Sequence, residues 1–317
     1  MTELEKRQKG KIAVFLAECG KHKTLLFMCI PAIVFFIAFS YAPLPGLRVA
    51  FVKYNYKKGI FGSDWVGLAN FKFLFQSGDL WRLTYKTILY NFAFLIFDNF
   101  VAMFMAIMIN EITRKLFKKT TQTLMLLPYF ISAVLVGLLV YNIFNYDYGF
   151  LNRVLSALGM QKVKLYQESQ AHVWPFLIVL IQLWQVTGYN TIVYFATIMG
   201  IEADTLEASR IDGVNAFQRI RYIELPMLKP TLVILLLFSM GGIVKGNFGL
   251  FYNIVGQNSA LYGTTDIIET YVYRATMNDF NFSTASAIGF YQSLIGFVLV
   301  MVCNRVIKQI EPEYSLF

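Results

Sequence analysis

Long apolar runs alternate along the chain with short charged stretches, and the gaps between charges mark out its elements. Residues 24–47, 120–146, 169–201 and 280–304 contain no Asp, Glu, Lys or Arg. Each run exceeds the roughly 20 residues that an α-helix needs to cross a hydrocarbon core. Two further runs carry one charge each, 87–110 with Asp98 and about 231–250 with Lys245. The pattern predicts an all-α polytopic membrane protein with transmembrane helices at about 24–42, 87–110, 121–144, 173–200, 227–247 and 284–304. Residues 1–23 form an N-terminal arm, 24–304 the six-helix domain and 305–317 a tail. Pro128 predicts a kink in helix 3, because proline removes a backbone donor and crowds the preceding turn.

Composition agrees with that reading. The chain is 57% hydrophobic and 15% charged, with a mean hydropathy of +0.53, whereas soluble domains carry about 25% charged residues. The net charge of +9 would suggest a nucleic-acid partner in a soluble protein; here it reads as topology, with a lipid bilayer as the partner. Lys6, Arg7, Lys9, Lys11, Lys21 and Lys23, then Arg114, Lys115, Lys118 and Lys119, fall on one side of a six-crossing arrangement. The positive-inside bias makes that side cytoplasmic. Both termini then lie inside, and 43–86 and 248–283 lie outside, although 43–86 has basic residues of its own. Cys19, Cys29 and Cys303 form no metal-binding or disulfide pattern. The first apolar run is too long for a signal-peptide core.

The loop between helices 4 and 5, residues 201–226, is patterned. Ala203 to Asp212 are good helix formers, and Gly213 suits the left-handed turn that ends a helix. Val214, Phe217, Ile220 and Ile223 then recur at steps of three as one packing stripe, and Pro226 is expected to end that second helix. The product is a helix-turn-helix knuckle. Glu207 can pair with a partner's arginine, Ala208 and Ser209 allow close approach, Arg210 and Asp212 flank them, and Gly213 sets the angle. Spacing alone also fits an interfacial loop with no partner.

Written as a pattern, Glu207-Ala208-Ser209 to Gly213 and Ile223-Glu224-Leu225-Pro226 read E-A-S-x3-G-x9-I-x-L-P. This resembles the EAA loop of binding-protein-dependent ABC importer permeases, with Ser209 replacing the usual alanine. Segments 249–253 and 270–274 resemble the carbohydrate-uptake branch, closest to the permeases for complex oligosaccharides. The resemblance implies a sugar permease subunit of a bacterial cell membrane that is not itself an enzyme and binds no cofactor. It implies a dimeric cytoplasmic ATPase using ATP and Mg and gripping 201–226, a second homologous permease, and an extracytoplasmic solute-binding protein. The chain has no G-x-x-x-x-G-K-[ST] phosphate loop, so ATP hydrolysis is expected in that separate subunit.

Polar groups within a bilayer face the bundle interior and are functional candidates. They are Gln182, Trp184, Gln185, Tyr189 and Asn190 on helix 4; Asn91, Asp98 and Asn99 on helix 2; Lys245 and Asn247 on helix 5; Tyr291 and Gln292 on helix 6. Each equally fits an interhelical hydrogen bond or an interfacial ring. Asp98 and Lys245 could neutralise each other, or Lys245 could snorkel to the interface. An ion-driven transporter predicts several intramembrane carboxylates, and only Asp98 is present. A membrane enzyme predicts clustered ligands or acids, against which the two histidines, His22 and His172, stand far apart in sequence. A permease for a non-sugar solute stays open.

Overall fold

The structure is a computed structural model that describes residues 22–310. Most of the expected arm, and the tail beyond 310, lie outside the described residues. Helix α1, Lys23–Phe36, runs on through a π turn, Ile37–Tyr41, and after Pro43 through a 3-10 segment, Leu44–Phe51. The most apolar window of this span is not buried by the rest of the chain. A two-stranded antiparallel ribbon follows, β1 (Val52–Lys53) against β2 (Asp64–Trp65), with Val52 opposite Trp65. Helix α2, Ala69–Ser77, turns through Gly78 at φ +73° into α3, Asp79–Glu111.

Beyond α3 come α4, Lys115–Leu126, then α5, Ala133–Phe144, and α6, Phe150–Ala157. Helix α7 is Trp174–Met199 and α8 is Ala203–Ile211. Helix α9, Leu225–Gly241, is followed by α10, Phe248–Val255, α11, Ile268–Met277, and α12, Phe282–Ile310. Among the described residues, five helices are long and apolar enough to cross a membrane, and six if the bent pair containing α4 and α5 counts as one span. The six-helix all-α expectation therefore describes the architecture.

Three elements differ from expectation. At Pro128 the third span does not merely kink. A 3-10 turn, Leu127–Phe130, ends α4, and α5 departs at 95°. Ser132 caps α5 by accepting from the Leu135 amide, so the chain restarts a helix instead of bending one. At Pro226 the opposite holds. The helix runs from Ala216 to Gly241 without a stop, because the π turn Ile220–Glu224 precedes the proline and Leu225 N–H bonds Ile220 O. A wider turn absorbs the ring and the missing donor. Helix 5 instead ends at Gly241, and 248–255 is a helix whose Leu250, Phe251 and Ile254 are buried. The start of the expected outside segment is therefore part of the bundle.

Three buried clusters hold the molecule together, and α3 contributes to each. Leu80 and Leu83 meet Ile268, Ala287 and Ile288. Tyr90 and Phe94 meet Trp174, Ile178 and Phe251. Ala102, Ala106 and Ile107 meet Tyr194, Ile198 and Leu228. Lipid is as apolar as these side chains, so close packing and interhelical hydrogen bonds carry the association. Ala102 and Ala106 let α7 approach, and Tyr194 donates to Asn99 Oδ1 at 2.6 Å.

Two crossings require glycine. A methyl group at Gly188 of α7 would overlap the Met125 carbonyl of α4, and one at Gly137 of α5 would overlap the Asn253 backbone of α10. Gly188→Ala and Gly137→Ala are each expected to lower the thermal midpoint in detergent, at a cost of about 1–3 kcal/mol. Gly46→Ala, with open space around it, should stay within about 0.5 kcal/mol. Equal melting of all three would contradict the crossings.

Candidate functional site

Between α3, α7 and the interrupted span formed by α9 and α10 lies a cavity of about 320 Å³. Asn91, Asp98 and Asn99 line it from α3, Gln182 and Asn190 from α7, and Lys245 and Asn247 from the non-helical stretch between α9 and α10. These residues come from three separate apolar runs and were brought together only by folding. Phe94, Leu95, Leu235 and Phe238 complete the walls. Asp98 is 8% exposed, and its Oδ1 is buried without a hydrogen-bond partner. Asn247 donates to Gln182 Oε1 at 3.3 Å and caps α10 through the Leu250 amide. Amides, a carboxylate and a lysine on apolar walls suit a polar solute rich in hydroxyls.

Asp98 and Lys245 share this cavity, but no ion pair between them is found among the described residues. The Lys245 side chain is exposed, which fits the alternative of a snorkelling lysine rather than mutual neutralisation.

Gln185, Gln292, Tyr189, Tyr291 and Trp184 lie outside this cavity. Gln185 donates to the Ile131 carbonyl at 3.0 Å, where α4 breaks from α5. Gln292 donates to the Val244 carbonyl and to Glu269 Oε1, and Asn91 bonds the Ile243 and Lys245 carbonyls at 2.7 and 2.9 Å. These amides satisfy backbone groups released where helices break, as a bilayer demands. Glu269, outside the spanning helices, has its carboxyl pushed up by burial, opposed chiefly by the Gln292 hydrogen bond. Tyr189 stacks on Tyr129 with centroids 4.6 Å apart. Tyr291 lies 3.2 Å from Thr84 Oγ1. Trp184 lines a separate apolar groove among α3, α4, α5 and α7. His172 is exposed in a 3-10 turn ahead of α7.

The knuckle has the local geometry that its composition requires. Helix α8 carries Glu207, Ala208, Ser209 and Arg210 and is capped at Asp212. Gly213 sits at φ +70°. Its amide bonds the Arg210 carbonyl, and the Val214 amide bonds the Ser209 carbonyl, the paired bonds of a Schellman stop. A reciprocal capping box between Asn215 and Gln218 starts the next turn, Ala216–Arg219. Glu207, Ala208 and Arg210 are exposed, while Ser209 is buried and donates to the Leu206 carbonyl. The expected stripe is incomplete. Ile220 and Ile223 pack against the third cluster, but Phe217 is 72% exposed, as is Ile211 at 87% just ahead of the stripe. An apolar tip therefore projects from the loop.

Sequence reasoning missed the junction beneath this tip. Glu224, 1% exposed, accepts from Arg219 Nε at 3.1 Å and from Asn110 Nδ2 at 3.0 Å. Arg219 also pairs with Glu111, the last residue of α3. The available signal was a glutamate in an apolar stretch five residues after an arginine.

A helical bundle with a polar cavity at a broken span and a capped knuckle at one end is the build of a solute permease. Residues 98–315 match the family described as binding-protein-dependent transport system inner membrane component, and the chain belongs to that family. It is 31% identical over 308 residues to the polygalacturonan/rhamnogalacturonan transport system permease protein YteP of Bacillus subtilis (strain 168), across 96% of this chain and 94% of that protein. Among solved structures it resembles a chain of a bacterial ABC transporter involved in the import of the acidic polysaccharide alginate. The TM-score is 0.84 at 30% identity, over 94% of this chain and 99% of that one. A second structure, of the bacterial alginate ABC transporter in complex with alginate pentasaccharide-bound periplasmic protein, matches with TM-score 0.82 at 30% identity, over 93% and 97%. The protein is a multi-pass membrane permease, and transporter permeases are not themselves catalytic.

In a variant freed of native cysteines, Asn190→Cys and Asn247→Cys should react with a small hydrophilic thiol reagent about tenfold faster or more than Ala102→Cys in the α3–α7 interface. Equal rates would show that water does not reach the cavity.

Proposed function

We propose that this chain is a permease subunit of an ATP-driven importer for oligosaccharides and supplies half of the translocation pathway. A second homologous permease supplies the other half, and an extracytoplasmic binding protein delivers the sugar. A dimeric ATPase in the cytoplasm consumes ATP and Mg and grips the 201–226 loop, with Glu207 as the charged contact. Both termini lie in the cytoplasm of a prokaryotic cell.

The cavity is the observation that carries this reading. Asn91, Asp98, Asn99, Gln182, Asn190 and Asn247 offer both donors and acceptors, which is what sugar hydroxyls require, and Phe94 and Phe238 offer surfaces for sugar C–H faces. The substrates of the relatives, polygalacturonan and rhamnogalacturonan for one and alginate for the other, support the same substrate class. Their uronate carboxylates suit the exposed Lys245. Alternation of the cavity between the two membrane faces then needs ATP binding to favour one state over the other, and the knuckle transmits that preference.

Purification of the tagged full chain in mild detergent, with mass spectrometry of its companions, tests the assembly. An ATPase and a second multi-pass protein are expected, and repeated recovery of this chain alone, with cross-links from position 207 also empty, would count against it. Uptake of oligogalacturonate and alginate oligosaccharides by proteoliposomes tests the substrate. Glu207→Arg and Gly213→Val should lower ATP-driven uptake about tenfold or more while membrane yield is retained; Gly213→Val strains a left-handed position. Normal uptake by both variants would remove the loop from the coupling path.

A further inference from the structure

The junction between α3 and the loop joins one arginine to two carboxylates. Glu111 ends α3, Arg219 ends the first turn after the knuckle, and Glu224 ends the π turn that leads into α9. One guanidinium holds both carboxylates with different nitrogens, Nε to Glu224 and Nη2 to Glu111. Asn110 adds a bond from α3 to Glu224, and Lys118 of α4 donates to the Asn110 carbonyl at 3.2 Å. A planar fork can serve two carboxylates at fixed angles, whereas the single ammonium of lysine cannot.

Resting on the reading above, we propose that Arg219 is a positioning residue that fastens the coupling loop to α3, so that α3 carries the motion of the loop to the cavity. The alternative routes are softer. Helix α9 begins with a π turn and stops at Gly241, and α7 joins α8 through the turn at Gly200–Glu202. Helix α3 is unbroken from Asp79 to Glu111. At 1.5 Å per residue, Glu111 stands about 20 Å along the helix from Asp98, which lines the cavity together with Asn91 and Asn99. A displacement of the loop is thereby delivered to three cavity residues on one rod.

Glu224 explains why the junction is stiff. A carboxylate this buried is tolerated only with its partners in place. Its Oε2 has no hydrogen-bond partner, so the arginine and Asn110 bonds to Oε1 hold the whole group. Glu224 and Arg210 also line a cavity of about 380 Å³ beside the junction, so α8 is partly backed by space and meets the bundle through Leu206.

The test uses the full chain in lipid nanodiscs, first alone and then with its ATPase. Glu111→Gln removes the charge from the tie between α3 and Arg219 and leaves Glu224 paired, so the protein should fold; Arg219→Lys and Arg219→Ala accompany it. In the chain alone, hydrogen exchange of amides in 203–219 and 106–111 should rise together by about tenfold in Glu111→Gln and Arg219→Ala, with a smaller rise in Arg219→Lys. A rise confined to 203–219 would overturn the tie. In the complex, labelling of a Ser239→Cys reporter, at a position on α9 that also lines the cavity, is compared with and without ATP and vanadate. Glu111→Gln should keep ATP hydrolysis within about twofold of the unmodified complex yet lose about fivefold or more of the ATP-driven change in labelling. Retention of the full change would overturn the proposal. If no ATPase joins the complex, the importer assembly fails, while the exchange experiment still decides the junction.

Discussion

A carbonyl released from a helix inside a bilayer finds no water, and an unsatisfied group there costs several kcal/mol. This molecule breaks two spans within its bundle, at Ile131–Ser132 and between Gly241 and Phe248, and the rest of its interior is arranged to answer them. Gln185 takes the Ile131 carbonyl, while Asn91 and Gln292 take those of Ile243, Val244 and Lys245. The breaks are useful because they create what a continuous helix lacks. The stretch 242–247 presents Lys245 and Asn247 to the cavity, and the packing of α10 on α5 closes the core beside it.

Helix α3 supplies the continuity that the broken spans give up. It enters every buried cluster, lines the cavity midway and ends at the Arg219 junction. Its close contact with α7 uses Ala102 and Ala106 where backbones approach and the Asn99–Tyr194 hydrogen bond where polarity has to be satisfied. A long unbroken helix beside two interrupted spans suits a machine that must transmit movement while parts of its wall rearrange.

The six apolar runs, the helical class and the knuckle with Gly213 at its turn were legible because they depend on local chemistry. Span length reflects bilayer thickness, charge gaps reflect the penalty for burying charge, and a left-handed stop asks for glycine. Proline proved an ambiguous signal. Pro128 accompanies a full break and Pro226 none, because the outcome depends on whether a neighbouring turn can widen and on whether a distant side chain such as Gln185 can accept the freed carbonyl's demand for a donor.

The sequence by itself determined which residues were polar within the membrane, and so which few could matter; it did not divide them by task. Asp98, Asn99, Gln182, Asn190, Lys245 and Asn247 line the cavity, whereas Gln185 and Gln292 mend the backbone and Tyr189 stacks on Tyr129. Asn91 does both. Glu224 looked like a spacer in the loop pattern until α3 brought Asn110 and Glu111 beside it. That division belongs to the tertiary structure, because an amide's role is set by which carbonyl or cavity stands within about 3 Å of it, and those neighbours come from helices a hundred or so residues away in the chain.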